Sequence, residues 1–495
     1  MQETSSFGAL NYSICIIYLV VMFGIGLSFA RKQKTTEEFF LAGRRMPWFI
    51  VAISMYASLA SAASYMALPG MAYMENISYI ALGVMYVAAA PFLVLLFYPF
   101  YRKLKVTTSY EYVGLRFGQP GRYIVSGLFI FMRLSWLGVV IYSPALALSV
   151  VTDINLYFAI ILMGLLATTY TVLGGLSAVL WTDALQFVIL TVGAIWIGGS
   201  LLINVPDGWS GIIEVAQKSG KLDVFSWKIN FFEMSVLGLA ISSFITAMQE
   251  FGTDQVTVQR LLATKTFSGM VKATWVNSII TLIMVSLLTF LGLGMLAYFQ
   301  HFPGQLSAEI AGDKLLPFYI INHMPNGVSG LLITAILAAA MSSMDSGINS
   351  VSTVIINDFV KPLRRRKTEE SKDVKLARIL TFGLGTLAVT IACFVSQIGH
   401  ILKAAGILTS IFAGPILSLF LLGILMKHAT LRGWLVGTVV NIPAMLWIIF
   451  ELEAHFIYFF PISFSISFIV GAVASLLLGG PQAPKGLTIW DRPSM

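Results

Sequence analysis

Residues 56–65 read YASLASAASY and interrupt the second of many long apolar stretches in this chain. Pro69 and Gly70 follow the run closely. Small and polar residues of this kind pack closely but hold a helix weakly. Two interpretations are open: a face that packs against a neighbouring helix, or a broken helix whose freed carbonyls line a site near mid-membrane. The run alone favours neither.

The composition places these stretches in a membrane. Of the 495 residues, 57% are apolar and 11% are charged, whereas a soluble domain carries about 25% charged residues. The excess apolar side chains must face lipid or other buried helices. The chain is therefore predicted to be an all-α polytopic membrane protein, with residues 1–495 in a single transmembrane domain.

Standard enzyme chemistry is not expected. No His/Cys/carboxylate cluster has metal-site spacing, and the chain contains no P-loop, GxSxG or HExxH motif. Cys15 and Cys393 each lie in an apolar run, so we expect small core residues without a disulfide. The net charge of +8 is attributed to basic loops at a membrane surface, not to a nucleic-acid partner.

Thirteen spans are predicted, each long enough to cross roughly 30 Å of hydrocarbon. They cover residues 10–30, 48–71, 78–101, 122–150, 155–174, 177–203, 233–260, 270–300, 327–360, 376–398, 402–426, 430–450 and 455–480.

The positions of Lys and Arg predict the orientation of these spans. If the N-terminus lies outside and the C-terminus is cytoplasmic, most of the 31 basic residues fall in inner segments, including residues 260–272 and the loop 361–375. Arg260 is counted as a basic residue of the first of these segments, and Arg133 alone lies deep in a span.

Two longer segments are predicted to be outer loops. Residues 204–232 contain the turn-forming run Pro-Asp-Gly, and residues 301–326 contain Pro-Gly and are expected to include a short helix.

The seventh span carries a second polar interruption, SSFITAMQEFGTDQ at residues 242–255. It lies five spans after the first interruption. Two five-helix repeats, within residues 48–203 and 233–426, would each begin with a discontinuous helix and, because five is odd, would have opposite topology. The helix 10–30 then precedes the repeats, and two helices in 430–480 follow them.

The ninth span reads AAAMSSMDSGINS at residues 338–350. Positions 339, 342, 343 and 346 share one helical face, which offers hydroxyl oxygens. Hard cations such as Na⁺ take hydroxyl and carbonyl oxygens. The alternative is that these serines bond to their own helix backbone. Asp345 weakens this alternative, because a carboxylate inside a span is a functional candidate by default.

Two further ionisable residues are predicted inside the membrane. Asp183 lies near the inner end of the sixth span, where it serves as a cap or as a second cation ligand. Arg133 lies about eleven residues into the fourth span, near mid-depth at about 1.5 Å per residue. It either pairs with a carboxylate such as Asp183 or receives an anionic substrate, and both alternatives stay open.

At these residues the chain resembles the sodium/solute symporter family, which includes the sodium–glucose, sodium–proline and sodium–sialic acid transporters. The resemblance runs over most of the chain. It implies a LeuT-type core with one helix before it and two or more after it. It is strongest in GGLSAVLWTDALQ (174–186), GTDQVTVQR (252–260) and residues 338–350.

The resemblance also implies Na⁺ as the coupling ion. Some members of the family have a second cation site, which corresponds to Asp183 and Ser346 in this chain. Asp345 stands where sialic-acid members carry Ser. The family's main sodium site corresponds to Ala57, Ala60, Ala339, Ser342 and Ser343.

The substrate positions follow from the same resemblance. Trp136 stands where sialic-acid members have a carboxylate-binding Arg, and Gly83 where they have an amide, so sialic acid is not expected. Arg133, one turn from Trp136, is a candidate replacement. A hexose is not expected either, because the sugar-binding Gln and Glu of galactose members are missing. The predicted substrate residues are Leu59, Ser61, Ser64, Tyr79, Gly83, Arg133, Trp136 and Gln249.

The predicted function is sodium-coupled symport of a small organic solute by alternating access. The stretch 136–186, with IYSPALAL at 141–148, looks most like the monocarboxylate and multivitamin branch, which favours an organic anion or carboxylate. The alternatives are a neutral solute (a sugar or an amino acid) and a channel, which would require a continuous polar pore. The expected partners are the solute, Na⁺ and the lipid bilayer, with the monomer as the functional unit.

Overall fold

A computed structural model describes the protein over residues 8–152, 154–306, 312–364, 369–395 and 401–491. Within these ranges it is helical and contains no strand, apart from one isolated bridge between Met46 and Thr264. Nine helices of the described ranges are long and apolar enough to cross a membrane. A tenth span is obtained if one bent helix pair counts as a single crossing. The all-helical membrane architecture is thus confirmed, while the number thirteen stays a prediction.

The principal helices are numbered here in chain order. They are α1 (Ala9–Ala30), α2 (Trp48–Leu59), α3 (Ala62–Met74), α4 (Ile80–Leu96), α5 (Gln119–Thr152), α6 (Leu156–Asn204), α7 (Val236–Gly252), α8 (Gln255–Leu262), α9 (Phe267–His301), α10 (Val328–Val354), α11 (Glu370–Val395), α12 (Ile401–Leu425), α13 (Leu431–Phe450) and α14 (Phe459–Leu478). Shorter helices connect them at Thr36–Leu41, Tyr98–Leu104, Tyr110–Phe117, Gly208–Lys218 and Leu315–His323. A π-helical segment, Ile355–Val360, extends α10.

The run at residues 56–65 is a break in the helix. α2 ends at Leu59, α3 begins at Ala62, and the two axes differ by 70°. Ala60 has non-helical dihedral angles, and the Ser61 hydroxyl accepts a hydrogen bond from the Ser64 amide, which caps α3. The broken-helix interpretation of this run is confirmed.

The seventh predicted span is broken as well. α7 ends at Gly252 and α8 begins at Gln255, with Thr253 and Asp254 outside both helices. The Asp254 carboxylate accepts a hydrogen bond from the Val256 amide at 2.9 Å, as an N-cap residue does. The polar interruption therefore marks the start of a new helix.

α6 consists of two helices joined at a kink, and the residue at the kink has backbone angles that no helix accommodates. It runs for 49 residues, and Gly175 within it has φ 57° and ψ −157°. A Cβ atom at this position would lie 2.6 Å from the carbonyl oxygen of Phe39, so both the backbone angles and the close packing require glycine. The glycine lies between the predicted spans 155–174 and 177–203.

Contacts on the two sides of this glycine show that the chain reverses there. Tyr170 donates a hydrogen bond to Asp345 on α10. Asp183 pairs with Arg260, which also donates to Ser346, the next residue of α10. Thirteen residues of straight helix rise about 20 Å, too far for both ends to meet neighbouring residues. The two halves of α6 therefore lie side by side against α10.

α10 occupies the centre of the helix bundle. Every residue from Leu332 to Val354 is buried, and the helix packs against α6, α5, α1 and α11. Its polar side chains consequently face other helices. α1, in contrast, exposes apolar side chains such as Ile16, Ile17 and Val20, as expected of a peripheral helix that faces lipid.

The connecting segments agree in part with the prediction. The segment 301–326 contains a short helix, Leu315–His323, as expected, and the segment 204–232 contains the helix Gly208–Lys218. Arg260, counted among the basic residues of the inner segment 260–272, is not a surface residue: its side chain is 0% exposed, within a helix whose eight residues are all buried. Three predicted loop residues, Arg365, Arg366 and Lys367, and the end of span 376–398 lie outside the described residues.

We expect Gly175→Ala to destabilise the protein. Positive φ costs an L-residue about 1–2 kcal/mol, and the added Cβ would collide with the Phe39 carbonyl. The apparent melting temperature in detergent should fall measurably. Gly199→Ala is the matched control, because it lies in the same helix and its Cβ would meet nothing within 4 Å. Equal melting temperatures for the two variants would contradict the reversal at Gly175.

Candidate functional site

Ser342 and Ser343 of α10 contact the broken end of α2. The Ser342 hydroxyl donates to the carbonyl oxygen of Ala57 at 2.8 Å and to that of Ala339 at 3.0 Å. The Ser343 hydroxyl donates to the carbonyl oxygen of Ser58 at 3.2 Å. Ser342 therefore bonds both to its own helix, as the alternative predicted, and to α2, while cation binding by this serine face stays a prediction.

The carbonyls of α2 are available because the helix ends there. The Ser61 amide, which would bond to Ala57 in a continuous helix, bonds to the Leu59 carbonyl at 2.9 Å. The Ser64 amide, the equivalent partner of Ala60, donates to the Ser61 hydroxyl at 3.2 Å. The break thus frees carbonyl oxygens at the point where α10 presents hydroxyls.

The five residues predicted for the main cation site lie at this junction, and they offer neutral oxygen atoms. Hydroxyl and backbone carbonyl oxygens suit a hard monovalent cation, which they can coordinate in place of water. A cation held here would bridge the end of α2 and the middle of α10.

A second group of polar residues surrounds Arg260, which is completely buried. Its Nη2 atom donates to Asp183 at 3.1 Å and also to Ser346. Its Nε atom donates to Ser54 at 2.9 Å, and its Nη1 atom to the carbonyl oxygen of Val256 at 2.7 Å. All three guanidinium nitrogens are therefore bonded within the protein.

The two predicted carboxylates lie on either side of this network. Asp183 also accepts a hydrogen bond from Ser54 at 2.5 Å, and Asp345 accepts from Tyr170 at 2.5 Å and from Ser346 at 3.1 Å. Both carboxylates are 0% exposed. With both acids ionised, the cluster has one negative charge more than Arg260 can neutralise, which is costly in a medium of low dielectric constant.

Arg133 pairs with a carboxylate, as one of the two alternatives predicted, but Asp183, the partner named as an example, is wrong. Arg133 donates from Nη2 to Asp254 at 2.5 Å, and Asp183 is paired with Arg260 instead. Sequence reasoning missed Arg260 because a basic residue at the end of a span resembles a loop residue. The strong family resemblance of residues 252–260 was the signal that could have indicated a role for it.

Arg133 and Asp254 line a cavity of about 280 Å³ beside the break between α2 and α3. The wall includes Ser343 of the cation junction. Five residues of this wall were predicted to bind the substrate: Leu59, Ser61, Arg133, Trp136 and Gln249. The members that were not predicted as substrate residues are Ser58, Phe129, Met132, Glu250, Asp254, Ser343 and Thr409.

Three predicted substrate residues lie outside this wall. Tyr79 donates its hydroxyl hydrogen bond to Glu75 at 2.7 Å. Ser64 donates to the Ser61 carbonyl at 2.9 Å. A Cβ on Gly83 would lie 2.7 Å from the Cα of Leu282, so this glycine permits close packing of α4 against α9. A resemblance transfers positions along a chain, whereas side-chain direction depends on the local packing.

Glu250 is the acidic residue that sequence reasoning overlooked. It lies in the last turns of α7, lines the cavity, and accepts a hydrogen bond from Tyr86 at 2.6 Å. Its presence within an apolar span was the signal that could have identified it.

Comparison with known proteins assigns the chain to a family. The family model of the Sodium:solute symporter family matches residues 39–441. The chain belongs to this family. It is therefore a sodium-coupled solute symporter, as predicted, with Na⁺ as the coupling ion, and it is not an enzyme.

Curated relatives cover nearly the whole chain. The sodium/sialic acid symporter NanT of Aliivibrio fischeri is 32% identical over 478 residues, which are 95% of this chain and 94% of that protein. The sodium-coupled monocarboxylate transporter 2 of Bos taurus is 31% identical over 90% of this chain and 73% of its own length. Both similarities are to transporters that use sodium.

Solved structures show the same fold. A Na⁺-coupled sialic acid symporter, solved with substrate in an outward-open state, superposes with a TM-score of 0.91 at 28% identity. The match covers 97% of this chain and all of that one. The nucleobase–cation symporter Mhp1, in a closed conformation, has a TM-score of 0.56 at 14% identity over 89% of this chain and 94% of its own, a likeness of fold alone.

We expect the double variant Ser342→Ala/Ser343→Ala to lose sodium-stimulated uptake and to remain folded, because both hydroxyls face carbonyls across the junction. Uptake by the variant and the native protein would be measured in liposomes with and without a sodium gradient. Ser329→Ala is the control, since this hydroxyl lies in the first turn of the same helix and donates to the carbonyl oxygen of Pro325 at 3.4 Å, away from the junction. Full sodium-stimulated uptake by the double variant would rule out this cation site.

Proposed function

We propose that this symporter takes up a small organic acid together with Na⁺ by alternating access. The observation that carries the proposal is that two residues belong both to the junction of α2 with α10 and to the wall of the cavity. Ser343 donates to the Ser58 carbonyl at the cation junction, and both residues also line the cavity that contains Arg133. A cation that joins α2 to α10 therefore shapes the solute cavity, which is the differential contact that coupling requires.

The Arg133 guanidinium supplies the recognition of a carboxylate. Its Nη2 atom is bonded to Asp254, while its Nε and Nη1 atoms have no hydrogen-bond partner in the described part of the chain. Guanidinium groups bind carboxylates through two parallel hydrogen bonds. The names of the relatives, which are sialic acid symporters and monocarboxylate transporters, support an organic acid as the solute.

Sodium is proposed to bind at Ala57, Ala60, Ala339, Ser342 and Ser343, the junction where the α2 break meets α10. Binding from outside holds α2 against α10 and completes the cavity. Release of sodium on the cytoplasmic side loosens this junction, and the solute follows. The cavity residues Leu59, Ser61, Arg133, Trp136 and Gln249 are proposed to contact the solute.

The finer topology belongs to the same proposal. We assign thirteen spans in a LeuT-type arrangement, counting each of the broken pairs α2–α3 and α7–α8 as one span and the two halves of α6 as two. The breaks at α2–α3 and α7–α8 support repeats within residues 48–203 and 233–426. The N-terminus is placed outside and the C-terminus in the cytoplasm on the distribution of Lys and Arg.

A neutral solute is the second candidate, and one observation favours it. Arg133 is already neutralised by Asp254, so the pair adds no net charge to the cavity. In that case Arg133 has a structural role, and hydroxyl or amide groups of the solute would bond to Ser61 and Gln249.

Two variants with opposite effects separate these candidates. Arg133→Gln should weaken the binding of a carboxylate about tenfold to a hundredfold, because it removes a charge-assisted hydrogen bond worth about 1.5–3 kcal/mol. Asp254→Asn should leave carboxylate binding intact or strengthen it, because it removes the competing anion. Affinities would be measured by thermal shift with small carboxylates in saturating sodium. Equal carboxylate affinity in the native protein and Arg133→Gln would give Arg133 a structural role, and binding of neutral solutes alone would favour the second candidate.

We further propose that a second cation, Na⁺ or H⁺, neutralises the buried cluster of Asp183, Asp345 and Ser346. Arg260 neutralises the charge of the Asp183 carboxylate and donates a hydrogen bond to the Ser346 hydroxyl oxygen. Asp345 adds a second carboxylate where sialic-acid members carry Ser, so the site differs from theirs. Asp345 keeps bonds from Tyr170 and Ser346 but has no cationic partner among the described residues. It is therefore the residue at which the second cation is expected.

Asp345→Asn tests this second site. If Na⁺ binds there, the Hill coefficient of uptake for sodium exceeds one in the native protein and falls to one in the variant. If a proton binds there, native uptake depends on pH between about 5 and 8, the range that buried carboxyl groups reach, and this dependence is lost in the variant. Asp358→Asn on the extension of the same helix is the control, because Asp358 already has Arg122 as a partner. Native sodium and pH responses in Asp345→Asn would exclude a second coupling site at this residue.

A further inference from the structure

Glu250 is the cavity carboxylate whose hydrogen-bonding capacity is half unused. One of its oxygens accepts the bond from Tyr86 at 2.6 Å, and the other has no hydrogen-bond partner among the described residues. Asp254 differs, because one of its oxygens accepts from Arg133 and the other from the Val256 amide. Within the described wall, Glu250 is thus the anionic acceptor that can still bind a donor from a solute.

The cavity therefore presents two groups of opposite charge that can each form further hydrogen bonds. Arg133 offers unbonded N–H donors, and Glu250 offers an unbonded carboxylate oxygen. Arg133 and Asp254 neutralise one another, so ionised Glu250 leaves an excess of one negative charge. A solute with only a carboxylate would add a second unpaired negative charge to a largely apolar wall, which is unfavourable at low dielectric constant.

We infer that the transported organic acid also carries an ammonium group, as a small zwitterionic amino acid does. The inference rests on the proposed function, since it takes the carboxylate to bind at Arg133. The ammonium group donates to Glu250, and a zwitterion adds no net charge to the cavity. The positive charge of the co-transported sodium then balances Glu250. The volume of about 280 Å³ suits a small solute, because pockets for drug-sized ligands start at about 300 Å³.

Matched pairs of acids test the inference directly. L-Alanine and L-lactate, and L-phenylalanine and L-phenyllactate, share a carbon skeleton and differ in an ammonium group against a hydroxyl group. Binding to the purified full-length protein would be measured by thermal shift in saturating sodium, and uptake in sodium-energised liposomes. We expect the amino acid of at least one pair to bind tenfold or more tightly than its hydroxy acid.

Glu250→Gln should abolish this preference by weakening the amino acid tenfold or more while the hydroxy acid binds as well as before or better. If this variant does not fold, Glu250→Asp, which shortens the side chain and keeps its charge, should reduce the preference. Glu75→Gln is the matched control, because Glu75 accepts a similar tyrosine bond, from Tyr79 at 2.7 Å, at a solvent-exposed position outside the cavity wall.

The outcomes separate this inference from the proposed function. Carboxylates that bind without regard to the amino group, or a preference that survives in Glu250→Gln, would overturn the inference and leave the organic-acid proposal standing. Failure of every carboxylate, combined with sodium-dependent binding of a solute that lacks a carboxyl group, would overturn both. An amino-acid preference that depends on Glu250 and on sodium supports both.

Discussion

The hydrogen bond from Ser342 to the Ala57 carbonyl depends on a carbonyl that a continuous helix would have used internally. Within a membrane such a group cannot be left to lipid, so a helix can end there only if another helix supplies a partner. α10 supplies hydroxyls at this point. The break in α2, the burial of α10 around its whole circumference and the position of the proposed cation junction are therefore linked by one requirement.

The same requirement explains the arrangement of buried charge. Arg260 bonds to Asp183, and Arg133 to Asp254, so these two cations each have an acidic partner. Each pair leaves one more acid nearby, Asp345 in the first case and Glu250 in the second. A symporter moves cations and solutes through its interior, and an unneutralised acid is where such a ligand gains the most free energy on binding.

The geometry also accounts for coupling between sodium and the solute without a long chain of intervening residues. Ser343 contributes to the cation junction and to the cavity wall, and Ser58 does the same from the opposite helix. A ligand at either place therefore favours the same arrangement of α2 against α10. Coupling of this kind is reciprocal, so the solute is expected to increase the affinity for sodium as much as sodium increases the affinity for the solute.

The sequence by itself determined the membrane class, the positions of the two polar interruptions and the serine face of α10, because each follows from local composition and helical periodicity. It left open whether the run at residues 56–65 is a packing face or a broken helix, and the structure shows the break. It also determined the family, through motifs that span most of the chain. Only the tertiary structure decided the partners of the charged residues. Arg260 became a core residue, and Arg133 paired with Asp254, because the reversal of α6 at Gly175 and the packing of α8 bring distant segments together. Such pairings depend on packing between segments, which no local pattern specifies.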